Sequence, residues 1–231
     1  MRIIFVRHGE SEGNLQGKIQ GREDYCLSPS GVRQAKKLKN YFYNQKLVIS
    51  HLYSSPLKRA FETAKILSEL WEIEIKAESG LQEYDMGRLS GADKETLEEK
   101  IPETKKYRVE PADEYFDRIQ SKNLLGVESA FEARDRATRT LDAFFQKHDD
   151  NNVILCVSHG GIMQRFVEIV LGTNRMWKME IRNTAIFDFD LQSQSHKAME
   201  SGNFRDNIIA VSYTHLRAHE TDSYLVCRLL L

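Results

Sequence analysis

No stretch of this chain reaches the roughly 18 consecutive apolar residues of a membrane-spanning helix, so none is expected. The first apolar run, Ile3 to Val6, is too short for a secretory leader and runs straight into charge, which leads to the expectation of a cytoplasmic, reduced protein. An excess of one charge is also missing. The 33 basic and 34 acidic residues leave a formal net charge of −1, which excludes a general nucleic-acid or membrane-surface binder but leaves room for a local cationic pocket. Cysteine is sparse: Cys26, Cys156 and Cys227 are odd in number, far apart and outside any Cys-x-x-Cys or Cys/His spacing. Neither a disulfide scaffold nor a zinc site follows from them, and Cys156 in the apolar run VILCV reads as a small buried hydrophobe. Carboxylates are not clustered as magnesium ligands, and no metal or other cofactor is expected.

Hydrophobic residues at 41% and charged residues at 29% let 231 residues build one sizeable α/β domain, with no sign of disorder. The chain is organised around its first residues. Ile3, Ile4, Phe5 and Val6 have the length of a buried strand, and the run stops at Arg7, His8, Gly9, Glu10 and Ser11. In an open α/β sheet, ligands bind beyond the carboxyl ends of the strands, so an Arg-His-Gly turn there aims its side chains at a ligand. Gly9 allows the sharp turn and a close backbone approach. The pattern recurs at Val153 to Val157, an apolar strand expected beside the first, which ends in Ser158-His159-Gly160-Gly161.

Between these strands the chain alternates. Residues 15 to 27 read as a loop over the site, and Ser28-Pro29 caps and opens a helix whose stripe is Val32, Ala35, Leu38, Tyr41 and Phe42. Leu47 to Tyr53 reads as a second strand, with Ser54, Ser55 and Pro56 marking its end and the cap of the helix that carries Arg59. Arg59 thus falls in the first turn or so of that helix, within reach of the crevice that holds His8. Ile73 to Ala77 reads as a short strand, Glu128 to Lys147 and Ile162 to Leu171 as helices, and Thr184 to Leu191 as a later strand. This succession predicts a three-layer α/β/α fold with a largely parallel central sheet.

Four stretches in order, RHGES with Asn14, SSPLKRAFETA at 54 to 64, LQEYDMGRLSG at 81 to 91 and VSHGG at 157 to 161, together resemble the histidine phosphatase (phosphoglycerate mutase-like) superfamily over roughly residues 1 to 190. The resemblance implies a metal-independent phosphatase that hydrolyses a small-molecule phosphomonoester through a phosphohistidine. It makes His8 the nucleophile and Glu83 the group that protonates the leaving alkoxide. A glutamic acid beside a phosphate dianion is expected to keep its proton into the first step. Arg7 and Arg59 offer planar, permanently charged forks suited to phosphoryl oxygens, and His159 adds a donor. Ser11 and Asn14 suit either phosphate or substrate contacts or turn formation, and Gly21 sits where family members carry a loop glycine. The family's Pro-Leu pair is Cys26-Leu27 here. The cofactor-dependent mutase branch follows RHGES with a tryptophan and asparagine; Gly13 precedes Asn14 here, which favours the phosphatase branch. A non-catalytic phosphate-binding module would be expected to lose His8, Glu83 or His159. The expected partner is a small phosphorylated metabolite, with no nucleic acid and no membrane.

Two segments stand apart. Residues 92 to 126 are charged and divided by Pro102 and Pro111, and read as a helical lid insertion whose Lys105, Lys106, Arg108 and Arg118 could meet an anionic substrate but read first as a solvated face. The domain is expected to span residues 1 to 210. Residues 211 to 231 match no motif and resemble a tail carried by unrelated reading frames that run into adapter or vector sequence. They are expected to be foreign, with His215 and His219 playing no part.

Overall fold

Strand β1 (Arg2–Arg7) sends alternate side chains to opposite faces: Ile3 and Phe5 join one apolar cluster, Ile4 and Val6 the other. A strand buried on both sides has to lie inside a sheet covered twice, and it does. The computed structural model describes residues 1–93, 126–173 and 180–193, with the two strands 208–217 and 225–229 beyond them. Its further elements are α1 (Glu12–Leu15), α2 (Pro29–Asn44), β2 (His51–Ser54), α3 (Lys58–Ser68), β3 (Ile75–Ala77), α4 (Ala130–Lys147), β4 (Val153–Ser158), α5 (Gly160–Val170), β5 (Ile186–Ser193), β6 (Ile208–Arg217) and β7 (Leu225–Leu229).

The sheet runs β3-β2-β4-β1-β5-β6-β7. The pairs β2–β3, β2–β4 and β1–β4 are parallel, while β5, β6 and β7 add on antiparallel. The expected three-layer fold is therefore present, and its four parallel strands stand together at one side. Leu38 and Phe42 of α2 with Ala60, Ala64 and Leu67 of α3 cover one face. Ala133, Ala137, Leu141 and Phe144 of α4 with Ile162, Met163, Phe166 and Val167 of α5 cover the other. There Phe5 stacks on Phe166 with ring centroids 4.7 Å apart, and Cys156 is fully buried in β4.

Helix boundaries follow local chemistry. Ser28 caps α2 through its hydroxyl, which accepts from Gly31 N at 3.0 Å, and Pro29 stands at the first helical position. Ser129 caps α4 in a capping box with Glu132. Three of the boundaries that differ from expectation bear on the site. The second strand begins at His51, and α3 takes Leu57 as its cap residue rather than a serine. Ser54 still pairs within the sheet, opposite Val157, and its hydroxyl donates to Ser55 O at 2.9 Å. The amide of Lys58 is served from a distance by Asp24 Oδ1 at 2.7 Å. The later strand starts at Ile186, because Thr184 turns the chain with φ 56°. The expected lid at 92 to 126 lies almost wholly outside the described residues. No helix among the described residues is long and apolar enough to cross a membrane.

Candidate active site

Register brings the two histidines together. In the parallel pair β1–β4, Arg7 lies opposite Ser158, so the next residues, His8 and His159, leave the sheet side by side. His8 N donates to Ser158 O at 3.0 Å, and the two imidazole centroids are 5.1 Å apart. Crossing this turn, α2 presses against it. A Cβ on Gly9 would fall 2.6 Å from Gly31 O, and one on Gly31 would fall 1.9 Å from Glu10 O, so both glycines are needed for the close approach. Gly9 N donates to Thr63 Oγ1 at 3.1 Å, tying the turn to α3.

The His8 ring is fixed by its own loop. Nδ1 lies 2.6 Å from Gly9 O, and since a carbonyl oxygen only accepts, Nδ1 carries the hydrogen and Nε2 its lone pair. Arg59 Nε donates to that Nε2 at 3.3 Å. The Arg59 fork is anchored from behind, Nη1 to Glu23 O and Nη2 to Gly21 O, both at 2.7 Å. Arg7 donates through Nη1 to Ile181 O. Arg7 Nε and His159 Nδ1 are buried and find no hydrogen-bond partner among the described residues. His159 Nε2 lies 2.8 Å from Ser55 Oγ.

Burial and this cationic company set the charges. Burial first, then Arg7 and Arg59, holds His8 well below the usual imidazole range, and burial, then Arg59 and His8, does the same to His159. Burial draws Arg59 down to about 10, which leaves it charged at neutral pH. The nucleophile candidate is thus a neutral imidazole among guanidinium cations.

Glu83 arrives from the loop after β3 and sits on the first turn of α5. Its Oε2 accepts from Gly161 N and its Oε1 from Ile162 N, each at 3.0 Å, and Oε1 accepts from Tyr84 N at 3.0 Å. A carboxylate at a helix N-terminus meets free amide hydrogens and the positive end of the helix dipole. Arg7, His8, Arg59 and Glu83 line one cleft of about 420 Å³, together with Asn14, Gly21 and Lys18. Lys18 stands in it paired to Asp93 at 2.6 Å. No group of three or more metal-ligating side chains occurs among the described residues.

Not every expected residue faces this cleft. Ser11 is fully buried as the cap of α1, its hydroxyl 3.0 Å from Asn14 Oδ1 and 2.7 Å from Gln20 Oε1, so it holds the turn rather than lining the cavity. Asn14 caps from one side and lines the cleft from the other. His159 is wholly buried beside the His8 ring and does not itself line the cavity. Gly21 contributes backbone: its carbonyl holds Arg59, and its φ of 50° favours glycine. Ser55, read from the sequence only as a strand end and cap, orients His159. Two further contributors carry no motif visible in sequence: Asn183 Nδ2 donates to His8 O at 3.0 Å, and Thr184 N donates to Arg7 O at 3.1 Å.

The carboxyl ends of β1 and β4 set two histidines side by side, and Arg7 and Arg59 join His8 and Glu83 around one cleft. The family model for the histidine phosphatase superfamily (branch 1) matches residues 3–203, and the chain belongs to that family. It is 32% identical over 192 residues to phosphoglycerate mutase-like protein 4 of Arabidopsis thaliana, covering 82% of this chain and 79% of the relative. It is 32% identical over 188 residues to phosphoserine phosphatase 1 of Hydrogenobacter thermophilus, covering 80% and 84%. A mutant phosphoserine phosphatase from Entamoeba histolytica, solved in complex with phosphoserine, superposes with a TM-score of 0.68 at 27% identity over 92% of this chain and 95% of that one.

Proposed function

We propose that this histidine phosphatase hydrolyses a small phosphorylated metabolite through a phosphohistidine on Nε2 of His8. The observation that carries the reading is the His8 ring itself, with its hydrogen committed to Gly9 O and its lone pair beside Arg59. In the first step the Nε2 lone pair forms an N–P bond as the P–O ester bond breaks, and the leaving oxygen takes a proton from the Glu83 carboxyl. In the second step water attacks phosphorus, the N–P bond breaks, and the water's proton goes to the Glu83 carboxylate. Each cycle restores both groups.

The remaining side chains act on charge. Arg7 and Arg59 neutralise the phosphoryl oxygens so that a neutral nucleophile can approach, and the buried Nε of Arg7 and Nδ1 of His159 would find partners in that anion. Asn14 and the backbone at Gly21 border the substrate. The arginines supply the positive charge that a metal would otherwise bring.

The relatives named for phosphoserine and phosphoglycerate chemistry direct the choice of substrates. The test is a panel of phosphoserine, 3-phosphoglycerate, phosphoglycolate, sugar phosphates and nucleoside monophosphates, read as phosphate release. Phosphate released from at least one supports hydrolysis. Formation of 2-phosphoglycerate from 3-phosphoglycerate, dependent on 2,3-bisphosphoglycerate, would instead make the protein a mutase.

A further inference from the structure

Glu83 stands on a loop with little regular structure: residues 78–86 form one short helical turn and otherwise irregular backbone. Several of the loop's polar backbone groups are taken up by two side chains, Glu128 just before α4 and Arg136 in its second turn. Arg136 and Glu128 form a two-pronged ion pair, Nε to Oε1 at 2.8 Å and Nη2 to Oε2 at 2.9 Å. The third guanidinium nitrogen of Arg136, Nη1, donates to Gly80 O at 2.9 Å and Gln82 O at 2.8 Å. Glu128 completes the bracket: its Oε2 accepts from Asp85 N, and its own amide donates to Asp85 O at 2.8 Å. Arg22 closes the outer side, Nη2 on Glu128 Oε2 at 3.3 Å and Nε on Glu83 O at 3.4 Å.

We infer that the Arg136–Glu128 pair is a positioning device for proton transfer, fixing the loop on either side of Glu83 so that its carboxyl meets the leaving oxygen. The inference rests on the acid role proposed for Glu83. Neither partner lines the cleft, and both are largely buried. The clamp grips backbone at 80, 82 and 85, whichever side chains the loop carries, and leaves the Glu83 carboxyl to the amides of α5. A planar fork with parallel donors meets two carbonyls and a carboxylate at once, which a lysine ammonium cannot do in the same geometry.

Leaving-group dependence separates positioning from general damage, because a dinitrophenolate leaves without a proton and an alkoxide does not. The experiment measures kcat/KM, which reports transfer to His8, for 2,4-dinitrophenyl phosphate and for the best alkyl monoester of the panel. The variants are Arg136→Met, Arg136→Lys, Glu128→Gln, Glu83→Gln and the double variant Arg136→Met/Glu83→Gln. Displacing a reacting group by about 1 Å costs on the order of 100-fold, so Arg136→Met should lower alkyl-ester turnover by about that factor and leave the dinitrophenyl ester nearly unchanged. Glu128→Gln and Arg136→Lys should show the same selectivity in milder form. In the Glu83→Gln background, Arg136→Met should cost nothing further on the alkyl ester.

Equal losses on both esters in the Arg136 and Glu128 variants, with Glu83→Gln still selective, would overturn the clamp and leave the acid in place. A multiplicative further loss in the double variant would do the same. A Glu83→Gln variant without leaving-group selectivity would remove the acid role and the clamp with it.

Discussion

His8 and His159 stand with ring centroids 5.1 Å apart because the residues before them, Arg7 and Ser158, are register partners on adjacent parallel strands. A one-residue slip between β1 and β4 would move one imidazole off the floor of the cleft and turn a strand's apolar face outward. The hydrophobic pattern that selects the fold therefore also selects the site geometry.

That arrangement has a pH signature. Both imidazoles are held well below the usual value near 6.5, so below about pH 6.5 the unfolded chain takes up protons that the folded chain refuses. Stability attributable to this pair is unaffected above that value and falls as acid is added, by up to about 1.4 kcal/mol per pH unit for each histidine. Urea unfolding from pH 7.5 to 5.5 should show midpoints declining with acid, and His8→Asn should flatten the decline. An unchanged slope in the variant would contradict the assignment. By the same reasoning, kcat/KM should lose no activity to His8 protonation until well below pH 6.5.

The glycine crossing sets a second expectation. A Cβ at Gly31 meets the Glu10 carbonyl at 1.9 Å, where no flexible side chain can yield. Gly31→Ala should destabilise the protein by about 1–3 kcal/mol, as overpacking does, and depress turnover by shifting the His8 turn. Thermal melting and kinetics check both. A variant with wild-type melting and activity would mean that the two backbones do not press on one another.

Because guanidinium charge supplies the electrostatics, EDTA should leave turnover intact. Vanadate, which adopts the geometry of a transferring phosphoryl group, should inhibit competitively with micromolar-to-millimolar phosphate esters. A strict requirement for a divalent metal would count against the mechanism.

Much of this site was legible in the sequence, and the physical reason is that apolar strands stop where charge begins. Ile3 to Val6 and Val153 to Val157 announced both histidines in this way, and Ser28-Pro29 announced α2. The cap of α3 was misread because Ser54 and Ser55 look like cap residues locally, while tertiary contacts claim one for the sheet and the other for His159, and Asp24 reaches over to serve Lys58. The Ser11 pattern suits either ligand or turn, and its capping of α1 together with its bond to Gln20 shows the turn. Asn183, Arg136 and Glu128 act on residues far away in the chain, 175 positions in the case of Asn183 and His8, and no local pattern encodes such a contact.

The end of the chain yields a fourth expectation. Strands β6 and β7 extend the sheet from the edge of β5, yet the family match stops at residue 203 and every described cleft residue lies before 165. Deleting residues 211 to 231 should leave turnover of the preferred substrate unchanged. Loss of folding or activity would make the tail part of the enzyme.

The most direct test asks where the phosphoryl group rests. Rapid acid-free quenching of enzyme with its preferred substrate, followed by peptide mass spectrometry and phosphorus NMR, should find a phosphoramidate on His8 Nε2, absent from His8→Ala, which should also lose turnover. A phosphoryl adduct elsewhere, or full activity in His8→Ala, would contradict the account.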